Sequence, residues 1–266
     1  MRSGVELIDS HCHLDLPAFD ADREQVLARC AALGVGHIVV PAIAASGWQR
    51  LAGLCDCHPG LSPAYGLHPM FMQQHRLCPD ATAGPGDVER LEGWLQQHRA
   101  VALGEIGLDF WDKRADRGAQ TALFEQQLAV AARQQLPVLL HVRKAHDQVL
   151  NLLQRHRPPG GIAHAFNGSL QQAQRYIDLG FCLGFGGMLT FARSRKLRAL
   201  AAALPLHALV LETDAPDMTV AAHRGERNSP EYLPDVAIAL AQLRDGTLAE
   251  VADATTANAR RVLGLG

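Results

Sequence analysis

The chain has 266 residues, 48% of them hydrophobic, with 25 basic against 27 acidic side chains and a formal net charge of −2. That apolar fraction excludes a disordered chain, and the near-zero charge excludes a broad basic nucleic-acid groove while leaving room for a small phosphate pocket. No run of 18 apolar residues is present, so no transmembrane helix is expected.

Short apolar runs alternate with helical patterns along the whole chain. Strands are predicted at about 5–10, 36–41, 62–68, 100–106, 137–142, 161–165, 180–185 and 208–213. They are short and continuously apolar, as parallel strands buried on both faces are. Helices are predicted at about 22–33, 46–56, 87–98, 117–135, 144–156, 169–179, 193–203 and 231–243, with a ninth at about 247–263. Ser169 is placed to cap one helix, and Pro158–Pro159 to end the one before it. Eight strand–helix units with right-handed crossovers predict an α/β fold, a (β/α)8 TIM barrel forming a single domain over 1–266 with an extra C-terminal helix. Residues 70–87 and 214–230 follow strands, so both are expected to lie over the barrel mouth.

In such a barrel the C-terminal strand ends converge on the active site. His11 and His13 follow the first strand, His68 and Glu105 end the third and fourth, His141 and His164 the fifth and sixth, and Asp214 follows the eighth. Seven metal-capable side chains from six strands therefore meet at one mouth. In Asp9-Ser10-His11-Cys12-His13, strand alternation puts 9, 11 and 13 on one face. The two imidazoles can share a cation, with Asp9 orienting a ring from behind. Glu105, between glycines, is the candidate to bridge two cations, whereas Asp109 and Asp112 read as loop structure. Arg143 shares the His141 face and suits phosphate. Asp214 is preferred to the deeper Glu212, which would orient neighbours. His146 reads as structural. The Arg193, Arg195, Lys196, Arg198 group reads as a solvated helix face, with phosphate contact as the alternative. Phe110, Trp111 and Phe166 read as rim packing, with base stacking as the alternative.

The segments IDSHCHLD, YGLHP, GEIGLDF, LPVLLHVRKAH, HAFNGS, LETDAP, RNSPE and TTANARRVLGL, in that order, resemble the TatD family of metal-dependent deoxyribonucleases, within the amidohydrolase-type barrels. ETDAPDM with its following loop is similar to the branch usually called YjjV. The resemblance implies a two-cation hydrolase of phosphodiesters, the cations being Mg2+, Mn2+ or Zn2+. It carries His11, His13 and Asp214 to one metal, Glu105 to the bridge, and His141 and His164 to the second. It places His68, Arg143, Arg227 and Asn228 near substrate phosphate, and Asn258 in a structural role. The expected activity is exonucleolytic attack on single-stranded DNA ends by a metal-activated hydroxide, with two cations about 3.5–4 Å apart. Asp214 would take the water's proton, and Glu105 and His68 complete the catalytic set. The loop after Asp217 departs from the commoner proline-rich form, which bears on substrate choice.

Two other hydrolytic or binding readings compete. The same centre suits ester or amide substrates such as D-aminoacyl-tRNA, and a non-catalytic metal-binding barrel would have lost a ligand. A Schiff-base barrel is disfavoured because Lys113, Lys144 and Lys196 fall in loops or helices. The six cysteines, without secretory spacing or an apolar N-terminal stretch, point to reduced thiols, no signal peptide and a cytoplasmic protein. Neither membrane association nor an obligate protein partner is expected.

Overall fold

The eight strands of the computed structural model, which describes residues 4–78 and 84–266, pair in parallel in strict chain order. They are β1 (Leu7–Asp9), β2 (Val35–Pro41), β3 (Leu61–Tyr65), β4 (Ala102–Asp109), β5 (Val138–Arg143), β6 (Gly161–Ala163), β7 (Phe181–Phe185) and β8 (Leu209–Leu211). Ser10 N–H donates to Leu211 O at 3.0 Å and Asp214 N–H to His11 O at 2.8 Å, which brings β8 back beside β1. The result is a (β/α)8 TIM barrel.

Helices α1 (Arg23–Ala32), α2 (Trp48–Cys57), α3 (Asp87–Leu95), α4 (Arg117–Gln134), α5 (His146–His156), α6 (Leu170–Asp178), α7 (Arg195–Ala203) and α8 (Leu233–Leu243) follow the strands, and α9 (Leu248–Leu263) ends the chain. Ser169 caps α6 in a reciprocal capping box with Gln172, and Thr247 does the same with Glu250 for α9. Each box satisfies two of the backbone groups a helix start leaves open.

One residue from each strand (Ile8, Val39, Ala64, Ala102, Leu139, Ile162, Cys182, Val210) joins a buried layer that Ala259 and Leu263 of α9 complete. Thr256 donates to Glu6 O, and Asn258 Nδ2 donates to Leu206 O and Leu209 O. The C-terminal helix therefore closes the N-terminal end of the barrel and leaves the opposite end open.

The fourth strand runs three residues further than its apolar run suggests. Glu105 consequently lies within β4, not at its end. Gly107 explains the extension: a Cβ there would come within 1.9 Å of His141 O, so only glycine lets β4 and β5 approach this closely. The third strand stops at Tyr65, and His68 instead opens a 3-10 segment over 69–74. Of the 70–87 stretch, residues 79–83 lie outside the described residues.

Candidate metal centre

Glu105 organises the open end of the barrel. Its carboxylate is 1% exposed and has histidine nitrogens on both oxygens. Oε2 lies 3.0 Å from His11 Nε2 and 3.4 Å from His13 Nε2. Oε1 lies 2.9 Å from His141 Nδ1 and 3.2 Å from His68 Nε2. Burial works to raise its pKa, but the charges and hydrogen bonds of His68, His11 and His13 outweigh it and hold the carboxyl well below its ordinary range.

Asp214 follows β8 with its side chain 17% exposed. Its Oδ1 is 3.8 Å from His11 Nε2 and 3.7 Å from His13 Nε2, and its Oδ2 is 3.7 Å from His164 Nε2. His13 Nδ1 faces Pro41 O at 3.1 Å, which turns Nε2 into the cluster. Burial acts to lower the His13 pKa, yet Glu105 and Asp214 together raise it to about 9. For His164, burial is likewise overcome by Glu212 and Asp214, and the pKa rises to about 10. His11, whose pKa is lowered by burial and by neighbouring His164, is fully buried and leaves its Nδ1 without a hydrogen-bond partner among the described residues.

Among the described residues, three groups of side chains have ligand atoms within 4.8 Å of one another: His11, His13 and Glu105; His11, His164 and Asp214; His68, Glu105 and His141. Imidazole and carboxylate donors converging on one buried point, with one carboxylate shared between two sets, fit divalent cations. The grouping differs from the division the family resemblance implies. His164 stacks on His11 at 3.8 Å between ring centroids and falls with Asp214, whereas its ring lies 6.4 Å from that of His141.

Behind these side chains stand their supports. Glu212 Oε1 lies 3.0 Å from His164 Nδ1, in the orienting position expected of it. Gly184 makes this possible, because a Cβ there would come within 2.1 Å of Glu212 Oε2. Asp109, read from sequence as loop, is buried at the end of β4 and places Oδ2 3.0 Å from His141 Nε2. It thereby leaves Nδ1 of that ring for the centre, and the even spacing from Glu105 is the signal that could have found it. Asp9 does not orient a ring. Since β1 ends at Asp9, alternation does not carry through to His11 and His13. Its carboxylate instead accepts His11 N–H, Thr213 N–H and the Thr213 hydroxyl, fastening β1 to β8.

Gln127 of α4 also escaped the sequence reading. Its side chain accepts Leu67 N–H at 2.8 Å and donates to Leu67 O at 3.1 Å, fixing the segment that carries His68. Two turns earlier on the same face, Gln120 accepts Asp109 N–H at 2.9 Å.

The centre floors a cavity of about 830 Å3. Met70 and Phe71 enter it from one predicted loop, Asp217 and Met218 from the other. Arg143 stands at its rim with the guanidinium 4.4 Å over the Trp111 ring. Arg193, Arg195 and Lys196 belong to its wall and not to an outward helix face; Arg198 alone turns away, onto Leu189 O. Phe166 is buried, while Trp111 is 59% exposed. His146 is spent on Tyr176 and Asn167.

Two expected phosphate contacts are not brought to the cavity. Arg227 donates both guanidinium ends to Asp22, at 2.8 and 2.7 Å, and lies 4.5 Å over the Phe19 ring. Asn228 is wholly buried and donates to Thr213 O and Asp217 O. Both fasten the 214–230 loop: Arg227 is held in a bidentate pair with Asp22, and both amide hydrogens of Asn228 are taken by backbone carbonyls.

Comparison with known proteins agrees with this architecture. Residues 8–264 match the family model described as "TatD related DNase". The chain is 41% identical over 254 residues, 94% of its length and 95% of the relative's, to an Escherichia coli protein named as the uncharacterized metal-dependent hydrolase YjjV. The crystal structure of that protein superposes with a TM-score of 0.90 at 39% identity, covering 98% of each chain. A Klebsiella pneumoniae protein named as the 3'-5' ssDNA/RNA exonuclease TatD is 31% identical over 97% of this chain and 98% of its own. The chain belongs to the TatD family of metal-dependent hydrolases, enzymes that act on ester bonds.

Proposed function

We propose that this enzyme is a two-cation phosphodiesterase that shortens single-stranded DNA from an end. The carrying observation is Glu105, whose two oxygens face two separate histidine sets at 2.9–3.4 Å. By the family resemblance His11, His13 and Asp214 would hold one cation with Glu105, and His141 and His164 a second; in the structure His68 stands with His141 on Glu105 Oε1, and His164 stands beside Asp214. When bound, the cations supply Lewis acidity toward the phosphoryl oxygens and lower the pKa of a water.

The protein's own groups divide the remaining work. Asp214, more open to the cavity than Glu105, accepts the proton of the attacking water. His68 accepts Met70 N–H at Nδ1, at 3.1 Å, so its neutral ring carries the proton on Nε2, facing the centre. Burial pushes its pKa down to about 4, which keeps the ring neutral at neutral pH. That Nε2 proton faces Glu105 Oε1 at 3.2 Å, and with cations on Glu105 it would serve a non-bridging phosphate oxygen without competing as a cation. Arg143, flattened on Trp111, presents a planar fork to the same phosphate.

A cavity near the upper end of the usual range of roughly 300–1,000 Å3 suits a strand end better than a duplex. The exonuclease name of one relative supports the same substrate class. Among the described residues no helix is long and apolar enough to cross a membrane. The six free thiols support a cytoplasmic enzyme. Hydrolysis of bis(p-nitrophenyl) phosphate with added Mg2+, Mn2+ or Zn2+ tests the reading against a panel of carboxylic esters, aminoacyl esters included. Cation-dependent release of p-nitrophenol from the phosphodiester is expected. Turnover of the esters alone would replace the nuclease reading with the deacylase one.

A further inference from the structure

The β7–α7 side of the cavity carries more positive charge than one scissile phosphate needs. Arg193, Arg195 and Lys196 line it within four consecutive residues, and all three are exposed. None has a carboxylate within 4.0 Å among the described residues, although eleven other arginines, among them Arg23, Arg50, Arg133 and Arg227, are paired in that way outside the cavity. Lys196 Nζ reaches only Asn167 O, at 3.4 Å, and the Arg193 guanidinium lies 5.0 Å over the Phe191 ring. The first turn of α7 contains no acidic residue. Its free N–H groups therefore point the same positive potential at the cavity.

Three unneutralised cations repel one another, and an anion between them removes that cost. In a chain of net charge −2 the cluster is a local feature and not a reflection of composition. Two guanidinium forks and an ammonium match phosphate oxygens in geometry as well as charge. The scissile phosphate is already served from the floor by His68 and from β5 by Arg143.

We propose that Arg193, Arg195 and Lys196 form a subsite for a second, uncleaved phosphate of the substrate, so that the enzyme prefers chains of at least two phosphates over isolated phosphodiesters. This rests on the phosphodiesterase reading. The subsite acts on affinity, since it lies on the wall away from the centre. Removing its charges raises KM for an oligonucleotide and leaves kcat nearly unchanged.

The test compares wild type with the Arg195→Gln/Lys196→Gln double variant on two substrates. One is a trithymidylate, which offers a second phosphate, and the other is bis(p-nitrophenyl) phosphate, which does not. The expected result is a KM for the trinucleotide raised about tenfold, kcat within about twofold, and unchanged kinetics on the small diester. A fall of equal size on both substrates, or on neither, overturns the subsite. Binding of a phosphorothioate-linked trinucleotide supplies a readout independent of turnover. One lost phosphate contact lowers the slope of log K against log salt by about 0.7, and an unchanged slope also overturns it. If wild type cleaves neither phosphodiester but the slope still falls in the variant, the phosphodiesterase reading fails and the subsite stands.

Discussion

Replacing Glu105 with glutamine keeps the side chain's shape and removes its charge. Four histidine nitrogens at 2.9–3.4 Å then face an amide, one end of which is a donor where only acceptors fit. Deleting one partner from a buried ionic cluster costs about 3–5 kcal/mol. At 1.36 kcal/mol per decade this is a loss of roughly 10^2 to 10^4 in metal affinity and in kcat/KM. Folding is expected to survive, because Asp214 still faces His13 and Asp109 still holds His141. The assay combines circular dichroism, elemental analysis of gel-filtered protein and initial rates on bis(p-nitrophenyl) phosphate. A folded Glu105→Gln enzyme with the wild-type metal content and a rate within threefold would refute the assignment of Glu105 as the shared ligand.

Asp109→Asn frees Nε2 of His141 from its carboxylate, and a 10–100-fold loss in metal affinity or rate is expected from isothermal titration and kinetics. Arg227→Ala breaks the bidentate pair with Asp22 without touching the cavity. It should lower Tm by about 2–4 °C, for about 1 kcal/mol in a barrel this large, with kcat within threefold; a large fall in kcat would restore Arg227 to the substrate. In metal-free protein, His13 and His164 have pKa values raised from 6.5 to about 9 and 10. The stability they contribute is fully present below about pH 6.5 and is lost as pH rises through 9 to 10. Cations displace these protons, so metal affinity rises with pH over the same window. Melting curves with chelator and with metal should therefore diverge from pH 7 to 9.5, and a constant or narrowing gap contradicts the coupling.

Much of the fold was legible because parallel strands buried on both faces leave unbroken apolar runs, and all eight are found near their expected places. The centre was legible for a related reason: strand ends converge in this topology, so histidines and carboxylates just after apolar runs had to meet. What escaped depends on backbone detail. Gly107 reads as a breaker but permits close approach to β5, which hides that β4 continues to Asp109. Gln120 and Gln127 look like ordinary polar helix positions, and only tertiary contact turns them onto the backbone beside Asp109 and His68. Arg227 and Asn228 were misplaced because a motif after β8 fixes a loop's position in sequence and not the direction of its side chains. The wall arginines read as a solvated face because a run of charges in sequence does not distinguish bulk solvent from a solvent-filled cavity.

The most direct test of the central claim is digestion of end-labelled single-stranded DNA, with divalent cation and with chelator. Stepwise shortening that needs the cation, and that chelator and Glu105→Gln both abolish, is the predicted result. Intact DNA with every divalent cation tried, from folded and metal-loaded enzyme that hydrolyses an aminoacyl ester, would contradict it.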